Sequence, residues 1–245
     1  MHSSTRFTLL LAVTTPTVFA FSFAPNDNTA QPRKPTKWAP LVGINKYRYA
    51  GSRFPNLDGC VNDVENMKTL LTGKFGFPLA NVLVLTDEKA THAGIVAAFK
   101  KHLIANAQPG DIVVFHYSGH GSQMKDLSGN ELDGLDETIV PHDSRDPEGK
   151  VFDISDDEIN GLVQKFSQKT KNITFIFDNC HSGTMARGAN KKRTAPKDER
   201  EPPQPSLAEA AGQRGVAEGR TDLRPVAISE EGAVNRVVKQ ITDWA

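Results

Sequence analysis

Short apolar runs rich in β-branched and aromatic residues recur along the chain, and each is bounded by turn residues. Runs of this kind are typical of buried strands in a parallel sheet, because both faces of such strands are covered. Four runs therefore predict strands, at residues 38–44, 81–86, 111–117 and 174–177.

Between these runs lie stretches whose apolar residues recur every three or four positions, which is the period of an amphipathic helix. The first helix is predicted from Asp58, with Cys60 and Asp63 in its first turn. Thr91 is a predicted N-cap for the second, and Ser155 with Glu158 forms a capping box ahead of the third. The apolar stripes of the three helices are Val61, Val64, Met67, Leu70 and Leu71; Ile95, Val96, Phe99 and Leu103; and Ile159, Leu162, Val163 and Phe166.

This order of strands and helices predicts an α/β fold in three layers, with a mostly parallel central sheet flanked by helices. An insert between residues 126 and 158 departs from the pattern, because it is crowded with Asp and Glu. We expect a small hairpin there, with residues 138–140 as one arm.

The two ends of the chain lack the core pattern. Residues 1–24 combine Arg6 with a short apolar run and end in Ser22-Phe23-Ala24, which indicates a secretory signal peptide and a secreted or periplasmic location. A disordered leader or an uncleaved membrane anchor is the alternative, because Thr14, Thr15 and Pro16 interrupt the run. Residues 25–36 read as a linker, 37–186 as the folded domain and 187–225 as a flexible linker rich in charged and small residues. Residues 226–245 form a C-terminal segment, either the start of a further strand region or a helix.

Composition narrows the range of functions. The chain has 245 residues, enough for one full domain with appendages, and its 29 basic residues balance its 29 acidic ones. This balance gives no field that would attract nucleic acid, and we expect no membrane contact beyond the signal segment. The only cysteines are Cys60 and Cys180, so a disulfide framework is excluded, although one bridge between them stays open.

Reactive side chains follow two of the predicted strands. His120 ends the segment Tyr117-Ser118-Gly119-His120-Gly121, and Cys180 lies in Asp178-Asn179-Cys180-His181-Ser182-Gly183. Because parallel strands deliver their carboxyl ends to one edge of the sheet, neighbouring strands would bring the thiol and the imidazole together. The backbone amides of Gly121 and Cys180 are suitable donors to an oxyanion, so the pattern favours a cysteine hydrolase with no required cofactor.

A zinc site is the alternative for the same histidines and cysteine. His116 and His120 are four residues apart, which on a strand separates them by about 13 Å. That distance is too long for one tetrahedral metal ion, so the catalytic interpretation is preferred.

The two segments around His120 and Cys180 closely resemble the metacaspases, caspase-fold cysteine peptidases. The resemblance extends to Leu57-Asp58-Gly59-Cys60-Val61-Asn62-Asp63 and to Asp133-Gly134-Leu135-Asp136-Glu137-Thr138. It implies a caspase-like catalytic domain over residues 37–186 with Cys180 as the nucleophile and His120 as the general base and acid. It also implies an endopeptidase that cleaves proteins after Arg or Lys.

By the same resemblance, Asp63, Ser118 and Asp178 line the pocket for the residue before the cleaved bond, with Cys60 at its edge. Two carboxylates would attract a guanidinium or ammonium group and repel an acidic substrate. The basic stretch Lys191-Lys192-Arg193 is therefore a candidate site of self-processing.

Calcium is a further expectation from the resemblance, through Asp136, Asp156 and Asp157. A fourth acid that metacaspases carry a few residues after the catalytic cysteine is replaced here by Arg187. Asp156 and Asp157 have a second explanation, because acids are favoured at a helix N-terminus.

Metacaspases continue after the linker into a small-subunit region with further strands, which we do not find in this sequence. The alternative function is therefore a catalytically silent binding or scaffold module whose open sheet edge recruits a partner strand.

Overall fold

The computed structural model of the protein describes residues 33–179, 193–201 and 226–227. The chain divides into two units, Met1–Lys34 and Pro35–Ala245. The first is almost entirely outside the described residues, so the signal peptide stays a prediction. Among the residues described, no helix combines the length and apolar character needed to cross a membrane.

The central sheet has five parallel strands: β1 (Lys37–Gly43), β2 (Val82–Thr86), β3 (Ile112–Ser118), β7 (Asn172–Asp178) and β8 (Val226–Ala227). Their order in the sheet is β2-β1-β3-β7-β8. The predicted parallel α/β architecture is confirmed. β8 pairs with the outer edge of β7, so two residues beyond the predicted linker belong to the sheet.

Three helices follow the predicted strands: α1 (Cys60–Gly73), α2 (His92–Ala97) and α3 (Asp156–Ser167). α2 continues into a π-helical turn, Ala98–Ile104, and single 3-10 turns lie at Leu79–Asn81 and Asp87–Lys89. The predicted Thr91 cap is present, because its hydroxyl accepts from the Gly94 amide at 3.0 Å. Of the predicted capping box, the Ser155 hydroxyl accepts from the Glu158 amide at 3.2 Å, whereas the Glu158 carboxylate lies 3.2 Å from His92 Nε2.

Alternation along β3 divides the core between the two faces of the sheet. Val113, Phe115 and Tyr117 pack with the α2 and α3 side, whereas Ile112 and Val114 pack with α1. His116 and Ser118 share the parity of Val114, so they point toward α1. This alternation brings the end of β3 under the first turn of α1.

The acidic insert supplies two strands of a separate three-stranded antiparallel sheet, whereas the sequence predicts one small hairpin. The sheet consists of β4 (Gly121–Lys125), directly before the insert, and β5 (Leu135–Ile139) and β6 (Ile154–Ser155) within it, in the order β4-β5-β6. β4 begins at Gly121, so the small sheet follows His120 in the chain without an intervening loop.

Candidate active site

The register of the central sheet sets the geometry of the site. β3 and β7 pair in parallel with Ser118 opposite Asp178. His120 follows Ser118 by two residues, and Cys180 follows Asp178 by two residues. Cys180 itself lies outside the described residues, as do Arg187, Lys191 and Lys192, so the predicted pairing of Cys180 with His120 stays a prediction.

α1 is held close to the end of β1, which places its first turn over the pocket. A side chain at Gly43 would meet the Cys60 carbonyl oxygen at 2.6 Å and Val64 at 2.7 Å, so only glycine permits this approach. Asn45 caps the helix from outside, because its side-chain oxygen accepts from the Cys60 amide at 2.9 Å. Asp63 lies in the first turn, as predicted.

His120 is fully buried between two aromatic rings. Its ring centroid lies 5.0 Å from that of Tyr47 and 4.9 Å from that of Phe54. The Nε2 atom is 2.8 Å from the Pro55 carbonyl oxygen, which can only accept, so Nε2 carries the proton. Nδ1 is then an acceptor, and it has no hydrogen-bond partner within the described residues.

Burial also sets the protonation of this histidine. It lowers the pKa of His120 below the ordinary 6.5, although the carbonyl groups of Pro55 and Arg193 oppose the shift. The imidazole is therefore neutral at pH 7 with Nδ1 free to accept a proton.

The backbone around His120 is fixed by two tyrosines. The Tyr47 hydroxyl accepts from the His120 amide at 2.7 Å, and the Tyr117 hydroxyl donates to the His120 carbonyl at 2.7 Å. A side chain at Gly119 would lie 2.6 Å from the Tyr117 hydroxyl and 2.9 Å from that of Tyr47. Glycine is thus required at position 119, because any side chain there would collide with the two hydroxyls that hold His120.

The predicted pocket residues come together, and an arginine of the same chain lies among them. The Asp63 carboxylate accepts from the Ser118 hydroxyl at 2.9 Å and from the Arg193 guanidinium at 2.8 Å. Arg193 also pairs with the Asp178 carboxylate and donates to the Ser118 hydroxyl at 3.0 Å. The pocket therefore holds one guanidinium between two carboxylates, each about one-third exposed at 33% and 34%.

Cys60 lies at the edge of this pocket and is a buried free thiol within the described part of the chain. A bridge to Cys180, which lies outside the described residues, stays an open alternative. Burial raises the pKa of the Cys60 thiol, while the nearby Arg193 and Ser118 lower it. Burial likewise raises the pKa of Asp178, in spite of the opposing charge of Arg193. A cation in the pocket thus offsets part of the cost of burying the carboxylate.

The backbone of Arg193 also contacts the site. Its carbonyl oxygen accepts from the Gly121 amide at 3.0 Å, and the peptide bond of this carbonyl group leads to Thr194. Gly121 is the predicted oxyanion donor. The guanidinium thus occupies the acidic pocket while the carbonyl oxygen of the same residue contacts the Gly121 amide.

A second acidic group lies in the small sheet. Among the described residues, Asp126, Asp136 and Asp157 are the one set of ligand-type side chains with oxygen atoms all within 4.8 Å of one another. Asp136 Oδ1 and Asp156 Oδ1 are buried without a hydrogen-bond partner in the described part of the chain. Burial and the neighbouring carboxylates raise the pKa of Asp136 to about 8 and that of Asp156 to about 7.

Several residues of the site carried no signal in the sequence. Pro55 acts through its backbone carbonyl, which no side-chain pattern reveals, and Asp126 lies ten residues before Asp136 in an ordinary turn sequence. Arg193 was a candidate processing site by charge alone. Asn45 offered a weak signal, as a polar residue directly after a buried strand.

The fold and these contacts define a caspase-like α/β domain with an acidic pocket beside a buried histidine. A sequence model described as "Metacaspase, peptidase C14 domain" matches residues 37–187. This chain belongs to the metacaspase family of cysteine peptidases.

Individual relatives agree with this assignment. The chain is 42% identical over 155 residues to Metacaspase-1A of Aspergillus oryzae and 43% identical over 150 residues to Metacaspase-1A of Aspergillus niger. These alignments cover 61% and 59% of this chain but 35% of each relative, so the chain spans about a third of the length of the curated relatives it matches. A solved protein of Geobacter sulfurreducens has a similar fold, with a TM-score of 0.50, 27% identity, and coverage of 75% of this chain and 62% of that one.

Proposed function

We propose that this chain is the catalytic region of a cysteine endopeptidase that cleaves polypeptides after arginine or lysine. The observation that carries the proposal is the position of Arg193. Its guanidinium contacts Asp63, Ser118 and Asp178 while its carbonyl accepts from the Gly121 amide. A charged fork between two carboxylates is a specific arrangement, because each hydrogen bond is charge-assisted.

The chemistry follows from the atoms around His120. Nδ1 accepts the proton of the Cys180 thiol, and the thiolate attacks the carbonyl carbon of the residue in the pocket. The oxygen that becomes negative accepts from the Gly121 amide. His120 then gives its proton to the leaving amine, and water hydrolyses the thioester to release the acid and regenerate the thiol.

The Pro55 carbonyl is a positioning group in this scheme. It fixes the Nε2–H tautomer and keeps the imidazole plane in place while Nδ1 exchanges the proton. A neutral imidazole is also the form that this proton transfer needs, because an imidazole that is already protonated could not accept the thiol proton. Burial favours the neutral form, since it lowers the pKa of His120.

The same contacts favour self-processing at the Arg193–Thr194 bond. The full chain and its Cys180→Ala variant should be incubated under identical conditions and the products identified by mass spectrometry. We expect a cut after Arg193 in the wild type alone, together with turnover of a fluorogenic peptide ending in Arg. Equal turnover by the two proteins would refute a thiol mechanism.

Specificity is tested with paired peptides. Arg and Lys peptides should be cleaved and an otherwise identical Asp peptide should not. Asp63→Asn should lower kcat/KM for the Arg peptide by about 10-fold to 100-fold, since a hydrogen bond to a charged group is worth about 1.5–3 kcal/mol. Asp58→Asn, just before α1, is the matched control.

We also propose calcium as a regulator held by Asp126, Asp136, Asp156 and Asp157. These residues fit a hard cation, because they supply carboxylate oxygens and include two buried oxygens without a partner in the described chain. Bound calcium would supply positive charge that lets the acids ionise together. Titration with calcium should raise the Tm, and an Asp136→Asn variant should respond less.

A further inference from the structure

The residues after Arg193 lie along β4 in a parallel arrangement. Ala195 donates its amide to the Gly121 carbonyl at 2.8 Å, and Asp198 donates to the Gln123 carbonyl at 2.8 Å. The Ser122 hydroxyl adds a bond to the Pro196 carbonyl at 2.8 Å. Residues 194–201, called here the docked segment, thus pair with the strand that begins at the oxyanion donor.

Burial varies from residue to residue along the docked segment. Asp198 is 3% exposed, whereas its neighbours Lys197 and Glu199 are exposed. Ala195 is buried as well, and Pro196 is exposed. The surface under the segment therefore contacts some positions and leaves the positions between them to solvent.

The buried Asp198 of the docked segment lies beside a basic side chain, that of Arg145. Arg145 lies 3.8 Å from its carboxylate, and Arg145 is itself held by the buried Asp153 at 2.6 Å and by the Ser122 hydroxyl at 2.7 Å. Because Asp153 fixes this guanidinium, its position does not depend on the docked segment. The segment adds its own charge, since Arg200 donates to Asp198 at 2.8 Å and 2.7 Å.

Arg200 is held by the loop that follows Arg145. Its guanidinium lies 4.7 Å from the centroid of the Phe152 ring and donates to the carbonyl oxygens of Asp146 at 3.0 Å and Val151 at 3.1 Å. Stacking on an aromatic face together with two directed bonds to carbonyl groups recognises the planar shape of arginine better than the point charge of lysine.

We propose that β4, Arg145 and the loop 146–152 form a binding site for polypeptide on the carboxyl side of the cleaved bond, selective for an acid at the fifth residue and an arginine at the seventh. If Arg193 precedes the cleaved bond, Asp198 and Arg200 are those two residues. The role in substrate selection rests on the proposed function, whereas the binding itself does not. Main-chain bonds to β4 hold the segment, and the contacts of the buried Asp198 and the partly buried Arg200 select its sequence.

Binding is tested on a protein that cannot cleave. The full chain carries Cys180→Ala, and D198N with R200Q weakens its own docked segment so that the surface is open. The probe is a fluorescein-labelled peptide with the sequence of residues 194–201, measured by fluorescence anisotropy. We expect saturable binding, weakened about 10-fold or more by Asn at its fifth position or Gln at its seventh. Gln at the sixth position, which corresponds to the exposed Glu199, is the matched control and should bind as the parent does.

Two results would overturn the site: no saturable binding, or equal weakening by the sixth and fifth substitutions. A cleavage arm then tests selection, with quenched peptides that carry Arg before the bond and residues 194–201 after it. Asn at the fifth position should lower kcat/KM about 10-fold while Gln at the sixth leaves it unchanged. Cleavage that ignores both substitutions would refute selection, whereas no cleavage of any peptide would refute the proposed peptidase function and leave the binding result intact.

Discussion

Replacing Asp136 by asparagine should stabilise the protein at neutral pH when no calcium is present. Asp136 is 6% exposed, and its Oδ1 atom has no hydrogen-bond partner within the described chain. An asparagine at this position keeps the shape, adds a donor toward the neighbouring carboxylates and removes a group that resists ionisation.

The magnitude follows from the pKa of this carboxyl group, which rises from 3.8 to about 8 in the folded protein. At pH 7 the unfolded chain has released this proton and the folded chain has not, which costs at most about 4 kcal/mol at about 1.4 kcal/mol per pH unit. Asp156, with its pKa raised to about 7, shares the same repulsion. We therefore expect a gain of about 1–2 kcal/mol from the substitution.

The pH dependence of stability that Asp136 contributes is opposite to that of an ordinary ion-paired acid. Because the folded state binds the proton more tightly than the unfolded state, this contribution to stability is lost as the pH rises from about 4 to about 8. The free energy of unfolding of wild type and D136N should be measured by urea unfolding at pH 5, 6, 7 and 8 in the presence of a chelator. The difference between the two free energies isolates the contribution of the Asp136 carboxyl group. That difference should grow with pH, and calcium should reduce it by stabilising the wild type.

Asp133→Asn is the matched control, since Asp133 is an exposed acid in the turn directly before β5. Its stability difference from wild type should stay within about 0.5 kcal/mol at every pH. A D136N difference that is flat with pH, or equal to that of D133N, would refute the account of the acidic cluster.

Other predictions concern the histidine, its supporting glycine and the pocket. Gly119→Ala should destabilise the fold by about 1–3 kcal/mol and lower kcat, because the added carbon meets two tyrosine hydroxyls. Gly51→Ala, where an added carbon meets nothing within 4 Å, should not impair activity. Equal effects of the two substitutions in activity and unfolding assays would contradict the predicted crowding at Gly119. The acid limb of kcat/KM against pH should fall below pH 6.5, since burial lowers the pKa of His120, and a limb centred above pH 6.5 would exclude this imidazole as the base. Arg193→Gln should raise the initial rate on a short added Arg peptide because the pocket loses its internal occupant, while Lys197→Gln, an exposed neighbour, should leave the rate unchanged.

The linker illustrates where pattern reading fails. Residues 187–225 show no sustained hydrophobic period, and a flexible segment is the natural interpretation of such a composition. Within it, residues 193–201 are held against β4 by main-chain hydrogen bonds and by the side chains of the buried Asp198 and the partly buried Arg200. A strand added at an edge needs no alternation of its own, so its sequence gives no periodic signal.

The features of this protein that depend on neighbours in the chain were predictable from the order of its residues. Apolar runs and helical stripes specify β1, β3 and α1, and Thr91 and Ser155 cap their helices through bonds to amides three residues away. Parallel pairing then puts the ends of β3 and β7 side by side, so a site at that edge was predictable.

The distant groups that complete the site are brought together by tertiary packing. The Pro55 carbonyl orients His120 from 65 residues away, and Arg193 reaches Asp63 from 130 residues away. Such contacts join a backbone atom or one flexible side chain to a surface made by other segments, and neither leaves a periodic trace in the sequence. The packing of α1, β3 and β4 around these groups, rather than any local preference, places the arginine in the pocket and its carbonyl beside Gly121.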